Sequence, residues 1–263
     1  MPQVVALYRY PIKGFSPERC EYLQVLADGR VAGDRVLGFR FANATVVDDA
    51  WGSKHDFVAL VNTPGLAKLT LCLNPSSLQL QLSLEGQRLL ETGLDTSGRK
   101  RMAQTIADYV CQCPNNPLSA HPERLPLSLV GDGITPRYQD NPAGHLSLHS
   151  RGSLTSVALA IGHEPLDERR FRSNIVLDGL APWQEQVWLG RSIAIGTLRF
   201  TVAIPKTRCL AIDANPCTGE RDLPLLKTLS QHCHPDKPTF AVGLQLQGTG
   251  GYLQLGDEVR LLD

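Results

Sequence analysis

The sequence predicts a mainly β protein with a few helices, and three observations support this prediction. The run LQLQLSL at residues 78–84 alternates strictly between apolar and polar side chains, which is the period of a half-buried strand. Short apolar and β-branched runs recur along the chain and are separated by Gly, Asn, Asp and Pro. Only three stretches carry apolar residues at helical spacing. Many short strands with frequent turns predict a small barrel or sandwich in the first half.

The strands are predicted from this pattern in chain order. Segments 66–73 and 78–84 are predicted to pair as a hairpin around the turn Pro75-Ser76-Ser77, and segment 252–262 closes the last hairpin. The predicted strands are 4–10, 23–26, 36–41, 45–47, 66–73, 78–84, 174–177, 188–196, 198–204, 240–246 and 252–262.

Three helices are predicted between these strands. Residues 101–111 and 153–161 each carry an apolar stripe, and the second opens with the capping composition Ser-Leu-Thr-Ser. The third covers 222–231, with Pro224 tolerated in its first turn. The Pro-rich polar stretch 115–126 is the predicted linker. The chain is therefore divided into an N-terminal unit at 1–114 and a C-terminal unit at 115–263.

Composition limits the classes of function. Lys plus Arg and Asp plus Glu number 26 each, and aromatics make up 6%, so nothing indicates a nucleic acid or an anionic membrane as partner. No apolar run approaches the roughly 20 residues of a membrane span, and Met1 opens no signal segment. The seven scattered cysteines favour free thiols in a reducing compartment, so we expect a cytoplasmic protein.

One cysteine has a distinctive setting. Cys209 lies between Lys206 and Arg208 on one side and Asp213 on the other. Neighbouring cations favour the thiolate, which is a nucleophile and a soft metal ligand. A free cysteine before Leu210 and Ile212 is equally well interpreted as a small buried apolar residue. Local chemistry alone leaves both interpretations open.

A longer pattern surrounds this cysteine. Residues 170–176 read R-x-R-x-N-I-V, 177–179 read L-x-G, and T-R-C at 207–209 is followed by D-x-N-P-x-T-G-E at 213–220. This order resembles MOSC-domain proteins, especially the mitochondrial amidoxime-reducing component and its bacterial relatives that detoxify hydroxylaminopurine with molybdenum. Segments 10–14 and 33–35 resemble the small β-barrel that precedes the MOSC domain in that family, and 255–259 resembles its closing strand.

The resemblance implies a fold, a cofactor and a reaction. A small N-terminal β-barrel would pack on a C-terminal MOSC β-barrel, with a molybdenum–molybdopterin cofactor in the cleft between them. The implied activity is a molybdenum-dependent reduction of hydroxylamines, amidoximes and N-hydroxylated bases. The alternative is a sulfur carrier or cofactor-binding protein with a persulfide on Cys209.

The resemblance also implies site residues. Cys209 would be the catalytic residue and the protein ligand of molybdenum. A molybdopterin needs cations for its phosphate and hydrogen-bonding groups for its pterin. The implied cofactor-binding residues are Lys13, Gly14, Arg35, Ser150, Arg151, Arg172, Asn174, Thr207 and Arg208.

Partners follow from the same resemblance. Some bacterial relatives carry a C-terminal ferredoxin domain with a four-Cys iron–sulfur pattern, which is not found before Asp263. We therefore expect no iron–sulfur cluster in this chain and a separate ferredoxin-, flavin- or cytochrome-type electron donor. Cys217 departs from the family pattern, and its thiol is expected either to be redox-active near the metal or to be incidental.

Two other residue groups invite functional interpretations. His149 and Ser150 are hydrolase residue types, but no Gly-x-Ser-x-Gly elbow accompanies them. The run His232-Cys233-His234 with Asp236 contains metal-ligand types, yet neighbouring side chains on an extended segment point apart. We interpret this run as a surface loop.

Overall fold

The computed structural model describes residues 1–46, 50–233 and 237–262, with only the main chain described at 232 and 233. Strand accounts for 33% and helix for 23% of the chain, which confirms the predicted mainly β class. The run at 232–236 lies outside the described side chains, so its interpretation as a surface loop stays a prediction. The strands are β1 (Gln3–Arg9), β2 (Glu18–Cys20), β3 (Tyr22–Val25), β4 (Gly38–Arg40), β5 (Leu69–Leu73), β6 (Leu80–Leu84), β7 (Gln87–Thr92), β8 (Ser128–Val130), β9 (Leu146–Ser150), β10 (Ile175–Asp178), β11 (Ser192–Ile195), β12 (Leu198–Thr207), β13 (Thr239–Gln247), β14 (Gly251–Gln254) and β15 (Val259–Leu262).

Eight strands form one large sheet in the order β15-β11-β12-β13-β9-β10-β1-β2. All neighbours are antiparallel except β9 and β10, which are parallel and are joined by a helical crossover. An isolated bridge between Gln3 and Glu258 brings β1 close to the start of β15. Among the described residues no closed barrel is detected, so the barrel part of the prediction is corrected to a large open sheet.

Three smaller sheets complete the architecture: β3 with β14, β4 with β8, and β5-β6-β7. The predicted closing hairpin at 252–262 is wrong, because β14 pairs with β3 whereas β15 pairs with β11. The predicted strand 66–73 is shorter than expected, since Pro64–Lys68 forms a 3-10 helix that Pro64 opens. No strand is predicted at β7, because its side chains are mostly exposed and do not alternate.

Four α-helices occur in the described residues: α1 (Thr96–Gln112), α2 (Arg151–Ile161), α3 (Gln184–Val187) and α4 (Leu225–Thr228). The Asp95 carboxylate caps α1 by accepting hydrogen bonds from two main-chain N–H groups, and the Ser150 hydroxyl caps α2. The third predicted helix starts later than expected, with Pro224 at its N-cap, and continues as the π-helix Leu229–Cys233. Within the described residues, no helix combines the length and apolarity that a bilayer crossing requires.

Three large apolar cores and a small fourth cluster around Tyr8 and Tyr10 hold these elements together. The first joins α1 to β4–β6 and β8, the second fills one face of the large sheet, and the third packs α2 and α4 around Phe171 and Phe240. Leu118, from the predicted linker, is 2% exposed in the first core, whereas Val4 and Leu7 belong to the second. The division of the chain at residue 114 stays a prediction.

Candidate functional site

A cleft of about 320 Å³ lies where the ends of several strands meet. The segments that line it are the loop after β1, residues 34–35 and 59–61, the approach to β9, the turn before β10, and the end of β12 with the residues that follow. It brings together eight of the predicted site residues, which are Lys13, Gly14, Arg35, Arg172, Asn174, Thr207, Arg208 and Cys209.

Lys13 is neutralised by a carboxylate that sequence reasoning missed. Its side chain is only 4% exposed, and its Nζ donates to the Tyr138 carbonyl at 2.9 Å and to Asp140 Oδ1 at 2.5 Å. Burial lowers the pKa of Lys13, and the Asp140 carboxylate opposes that effect. Burial alone would raise the pKa of Asp140, but Lys13, Arg35 and Arg172 together outweigh it and hold that pKa well below its usual range.

Two arginines share one aromatic ring. The guanidinium carbons of Arg35 and Arg172 lie 4.7 and 4.4 Å from the ring centre of Tyr10, which is fully buried. Arg35 also forms an ion pair with Asp34. Burial, with the nearby charge of Arg35, lowers the pKa of Arg172 to about 10. Tyr10 and Asp34 therefore hold two like charges close together in the cleft.

Three cations of the cleft, Arg172 among them, have only carbonyl oxygens as hydrogen-bond acceptors in the described structure. Arg172 donates to the Phe15 carbonyl at 2.6 Å, Lys206 Nζ to the His145 carbonyl at 3.1 Å, and Arg208 to the carbonyls of Phe240 and Phe171 at 2.7 and 2.8 Å. Among the described side chains, none of the three has a carboxylate within ion-pair distance, and the buried Nη2 of Arg208 has no hydrogen-bond partner. A buried charge without a counter-ion is costly, so this part of the cleft favours an anionic ligand.

Cys209 lies at the edge of this cationic group. It follows the end of β12, is half-buried, and caps the 3-10 helix Leu210–Asp213. The main chain holds the turn in place, because the Arg208 N–H donates to the Pro238 carbonyl at 2.7 Å. Behind this turn, Nη2 of Arg170 donates to both carboxylate oxygens of Asp222, at 2.7 Å to Oδ1 and 2.9 Å to Oδ2. The thiol is therefore presented on an anchored turn.

The second cysteine of the motif lies elsewhere. Cys217 is exposed and is not among the residues that line the cleft, and its Sγ is 3.3 Å from Nη2 of Arg169. The Asn215 side chain accepts hydrogen bonds from the main-chain N–H groups of Cys217 and Thr218, which is an Asx turn. Gly219 is required there, since a Cβ atom would lie 2.9 Å from the Cα atom of Gly65.

Asn174 and Gly14 line the cleft but serve the scaffold. Oδ1 of the Asn174 side chain accepts hydrogen bonds from the Ser147 N–H and hydroxyl, and its Nδ2 donates to the Tyr8 carbonyl at 3.2 Å and to Asp34 Oδ1 at 3.4 Å. Gly14 has φ +84°, and a Cβ atom there would lie 2.8 Å from the Cα atom of Ala59.

The structure does not bring Ser150 or Arg151 into the cleft lining. The Ser150 hydroxyl is fully buried and donates to Oε2 of Glu185 at 2.9 Å. Nε of Arg151 lies 3.3 Å from Oε2 of Glu168, with which it forms an ion pair. Their contribution to the cofactor remains a prediction that the geometry does not favour. His149 shows no hydrolase relay, because neither ring nitrogen has a hydrogen-bond partner within the described residues.

Sequence reasoning missed Asp140 and His145, which line the cleft and lie in a segment without a motif. It assigned Tyr10 only to a strand, although the buried ring supports two arginines of the cleft. Lys206 was recognised as a neighbour of Cys209 and not as a site residue. No local pattern marks these residues, because their contacts join distant segments of the chain.

Together, the fold and the site define a mainly β protein with a half-buried thiol beside a cationic cleft, built at the end of a large β-sheet. Residues 136–260 match the family model of the MOSC domain.

Several curated proteins are similar to the chain. A molybdenum cofactor sulfurase of Caenorhabditis briggsae is 28% identical over 99% of this chain and 36% of its own length. Molybdenum cofactor sulfurase of Homo sapiens is 39% identical over 24% of this chain and 7% of its own length. The chain thus spans about a third of the first of these relatives and less of the second.

Two solved structures are also similar. The YUAD protein of Bacillus subtilis has a TM-score of 0.45 at 11% identity, covering 98% of this chain and 94% of its own. YiiM of Geobacillus stearothermophilus has a TM-score of 0.33 at 16% identity, covering 45% and 54%. Both likenesses are too weak to support a conclusion.

Proposed function

We propose that the chain binds a molybdenum–molybdopterin cofactor in this cleft and reduces N-hydroxylated compounds with electrons from a separate donor protein. The observation that carries the proposal is the group Arg172, Lys206 and Arg208, three cations without a carboxylate partner among the described residues, beside the Cys209 thiol. The chemistry of this set fits the cofactor, because a phosphate needs cations and molybdenum accepts a soft thiolate.

The proposed roles of the residues follow from their contacts. Arg172 and Arg208 would hold the phosphate, since the buried Nη2 of Arg208 has a hydrogen bond to donate and no partner in the described structure. Cys209 would be the protein ligand of the metal, and Thr207, exposed at the end of β12, would offer its hydroxyl to the pterin. Lys13, Arg35 and Asn174 would keep the opposite chain segments in place through their paired contacts.

The reaction would consume two electrons and two protons, converting a hydroxylamine into an amine and water. When bound, the cofactor would supply the two-electron chemistry. The residues of this chain would bind and orient the substrate, exclude water from the buried end of the cleft, and stabilise negative charge there.

A second function is favoured by a different observation. The curated relatives are named molybdenum cofactor sulfurases, and one of them is similar over 99% of the chain. In this alternative the Cys209 thiolate takes the outer sulfur of a donor persulfide, the donor thiolate leaves, and Cys209 then passes the sulfur to an acceptor. The cationic cleft would receive the anionic acceptor.

One experiment separates the two functions. Wild type, Cys209→Ala and the control Cys72→Ala, whose thiol is exposed on β5, are purified from cells that make molybdopterin. The reductase proposal expects stoichiometric molybdenum and pterin in wild type and control, with metal lost in Cys209→Ala. If the wild type contains no molybdenum but carries cyanide-releasable sulfur that is absent from Cys209→Ala, the carrier function is supported. If the wild type shows neither signal, both functions are contradicted.

A further inference from the structure

A bare position on β13 lets three side chains that line the cleft pack closely against that strand. Gly243 carries no side chain, and a Cβ atom there would lie 2.8 Å from Ile204 Cγ1, 2.9 Å from Lys206 Cε and 3.2 Å from His145 Cβ. Each distance is shorter than an ordinary van der Waals contact. The hydrocarbon stem of Lys206 therefore lies over Gly243, in space that any other residue would occupy.

Irregular strand pairing directs Lys206 into this position. The register between β12 and β13 shifts between Val202 and Ile204, and it shifts again between Pro205 and Thr207. Ala241, on the facing strand, has a left-handed φ of 74°. Bulges of this kind bend a strand and re-aim its side chains. The second shift spans Lys206, whose side chain lines the cleft.

The Lys206 ammonium has unused hydrogen-bonding capacity. It has three N–H donors, and the described structure gives it one acceptor, the His145 carbonyl at 3.1 Å. Arg208, Arg35 and the His145 ring are the basic groups around it, and Asp140 and Asp34 are the more distant acids. A strongly hydrated ammonium that is half-buried without a carboxylate partner favours an anionic ligand.

We propose that Lys206, seated over Gly243, binds an anionic group of the ligand beside Cys209, and that Gly243 is the residue that permits this contact. The inference deepens the proposed function and rests on it for the identity of the ligand. The anion is either the phosphate of the cofactor or an anionic group of a second ligand that enters the loaded cleft.

The proposal has a characteristic dependence on pH. Burial, together with the charges of Arg208 and Arg35, lowers the pKa of Lys206 to about 8. Anion binding should therefore be strongest below that pH and should weaken as Lys206 loses its proton. An arginine at the same position keeps its charge throughout this range.

Sulfate is the test ligand, because it stays doubly negative across the pH range. Its dissociation constant is measured by calorimetry with the full chain made without molybdopterin. At pH 7, Lys206→Met and Gly243→Ala should each weaken binding, the first by about tenfold for the loss of one charge-assisted hydrogen bond. The exposed Lys227→Met is the matched control and should bind as wild type does. Thermal unfolding verifies that each variant is folded.

Lys206→Arg supplies a readout that a purely structural role would not move. Between pH 7 and pH 8.5 it should lose less sulfate affinity than wild type does, because the other groups of the cleft titrate in both proteins and Lys206 titrates only in wild type. Any of three results would overturn the proposal. Wild type does not bind sulfate, Lys206→Met binds sulfate as wild type does, or wild-type binding stays constant over this pH range.

Protein from cells that make molybdopterin distinguishes the two sources of the anion. If loaded wild type no longer binds sulfate and Lys206→Met loses pterin, Lys206 holds the cofactor phosphate. If loaded wild type still binds sulfate through Lys206, the anion belongs to a second ligand. If wild type from these cells contains no molybdenum but still binds sulfate through Lys206, this inference is supported and the proposed reductase is contradicted.

Discussion

Nη2 of Arg35 lies 3.4 Å from the main-chain carbonyl oxygen of Arg172, which ties together two residues that are 137 positions apart in the chain. Both residues have a left-handed φ of 52°, a conformation that is uncommon outside glycine. Both guanidinium groups also lie over the ring of Tyr10. The Tyr10 ring and the Asp34 carboxylate offset the backbone strain at Arg35 and Arg172 and the repulsion between their two positive charges.

Replacing Tyr10 by Leu should therefore destabilise the protein more than its lost volume implies. We expect Tyr10→Leu to lower the free energy of unfolding by about 2–4 kcal/mol, since a buried ring and two cation–π contacts are lost. Tyr10→Phe keeps the ring and loses only the hydrogen bond to the Ser173 carbonyl, so about 1 kcal/mol is expected. Urea unfolding measures both, and equal midpoints would rule out this role of the ring.

Asn174 should behave as a scaffold residue. Asn174→Ala leaves the Tyr8 carbonyl and the Ser147 N–H without their side-chain partner, which should lower the free energy of unfolding by about 2–3 kcal/mol. Asn174→Asp should cost more, because a second carboxylate would then lie beside Asp34. Chemical denaturation at pH 7 compares the two variants. An aspartate that is tolerated better than alanine would contradict the packing described for this site.

Gly14 and Gly86 form a matched pair for testing the close approach at the cleft. Their φ angles are +84° and +82°, but a Cβ atom at Gly86 would meet nothing within 4 Å. Gly86→Ala should cost about 1–2 kcal/mol, which is the strain of the left-handed backbone. Gly14→Ala should cost about 1–3 kcal/mol more, since it also forces a Cβ against the main chain of Ala59. Equal melting temperatures of Gly14→Ala and Gly86→Ala would show that the main chain of Ala59 shifts to accommodate the added Cβ atom.

His149 should make the protein sensitive to mild acid. Burial, followed by the charges of Arg208 and Arg151, lowers its pKa from 6.5 to about 3. Between these values the unfolded chain binds a proton that the folded chain does not, so stability falls as pH drops below 6.5. His149→Leu removes this group. Relative to wild type, the variant should therefore gain stability as pH falls from about 6.5 to 4, by a few kcal/mol at most.

Urea unfolding at several pH values tests this expectation. Above pH 7.5 the difference between His149→Leu and wild type should be constant, because His149 is then neutral in both states. A difference that is also constant below pH 6 would mean that the imidazole titrates normally in the folded protein.

The sequence predicted what depends on local patterns. The alternation at 80–84, the apolar stripes of α1 and α2, and the long strand before Cys209 are all found at or near the expected positions. Most of the motif residues also meet in one cleft, because the motifs lie at strand ends that the large sheet gathers together.

What the sequence did not reveal depends on contacts between distant segments. The pairing of β1 with β10 joins residues about 170 positions apart, and no local pattern encodes that register. Asp140 is a site residue only because Lys13 reaches it, and Lys206 only because Gly243 lies beneath it. Ser150 was assigned to the cofactor from its place in the chain, but its hydroxyl serves the cap of α2 and Glu185.

The cationic cleft has a consequence for the molecule as a whole. Among the described residues, seven Lys and Arg side chains line the cleft, against two Asp. The described lining of the cleft therefore carries a formal excess of five positive charges, in a chain whose formal net charge is zero. The local potential at the thiol, and not the charge of the whole molecule, should govern which small molecules approach it. Small anions should be drawn to the cleft, and most strongly at low ionic strength.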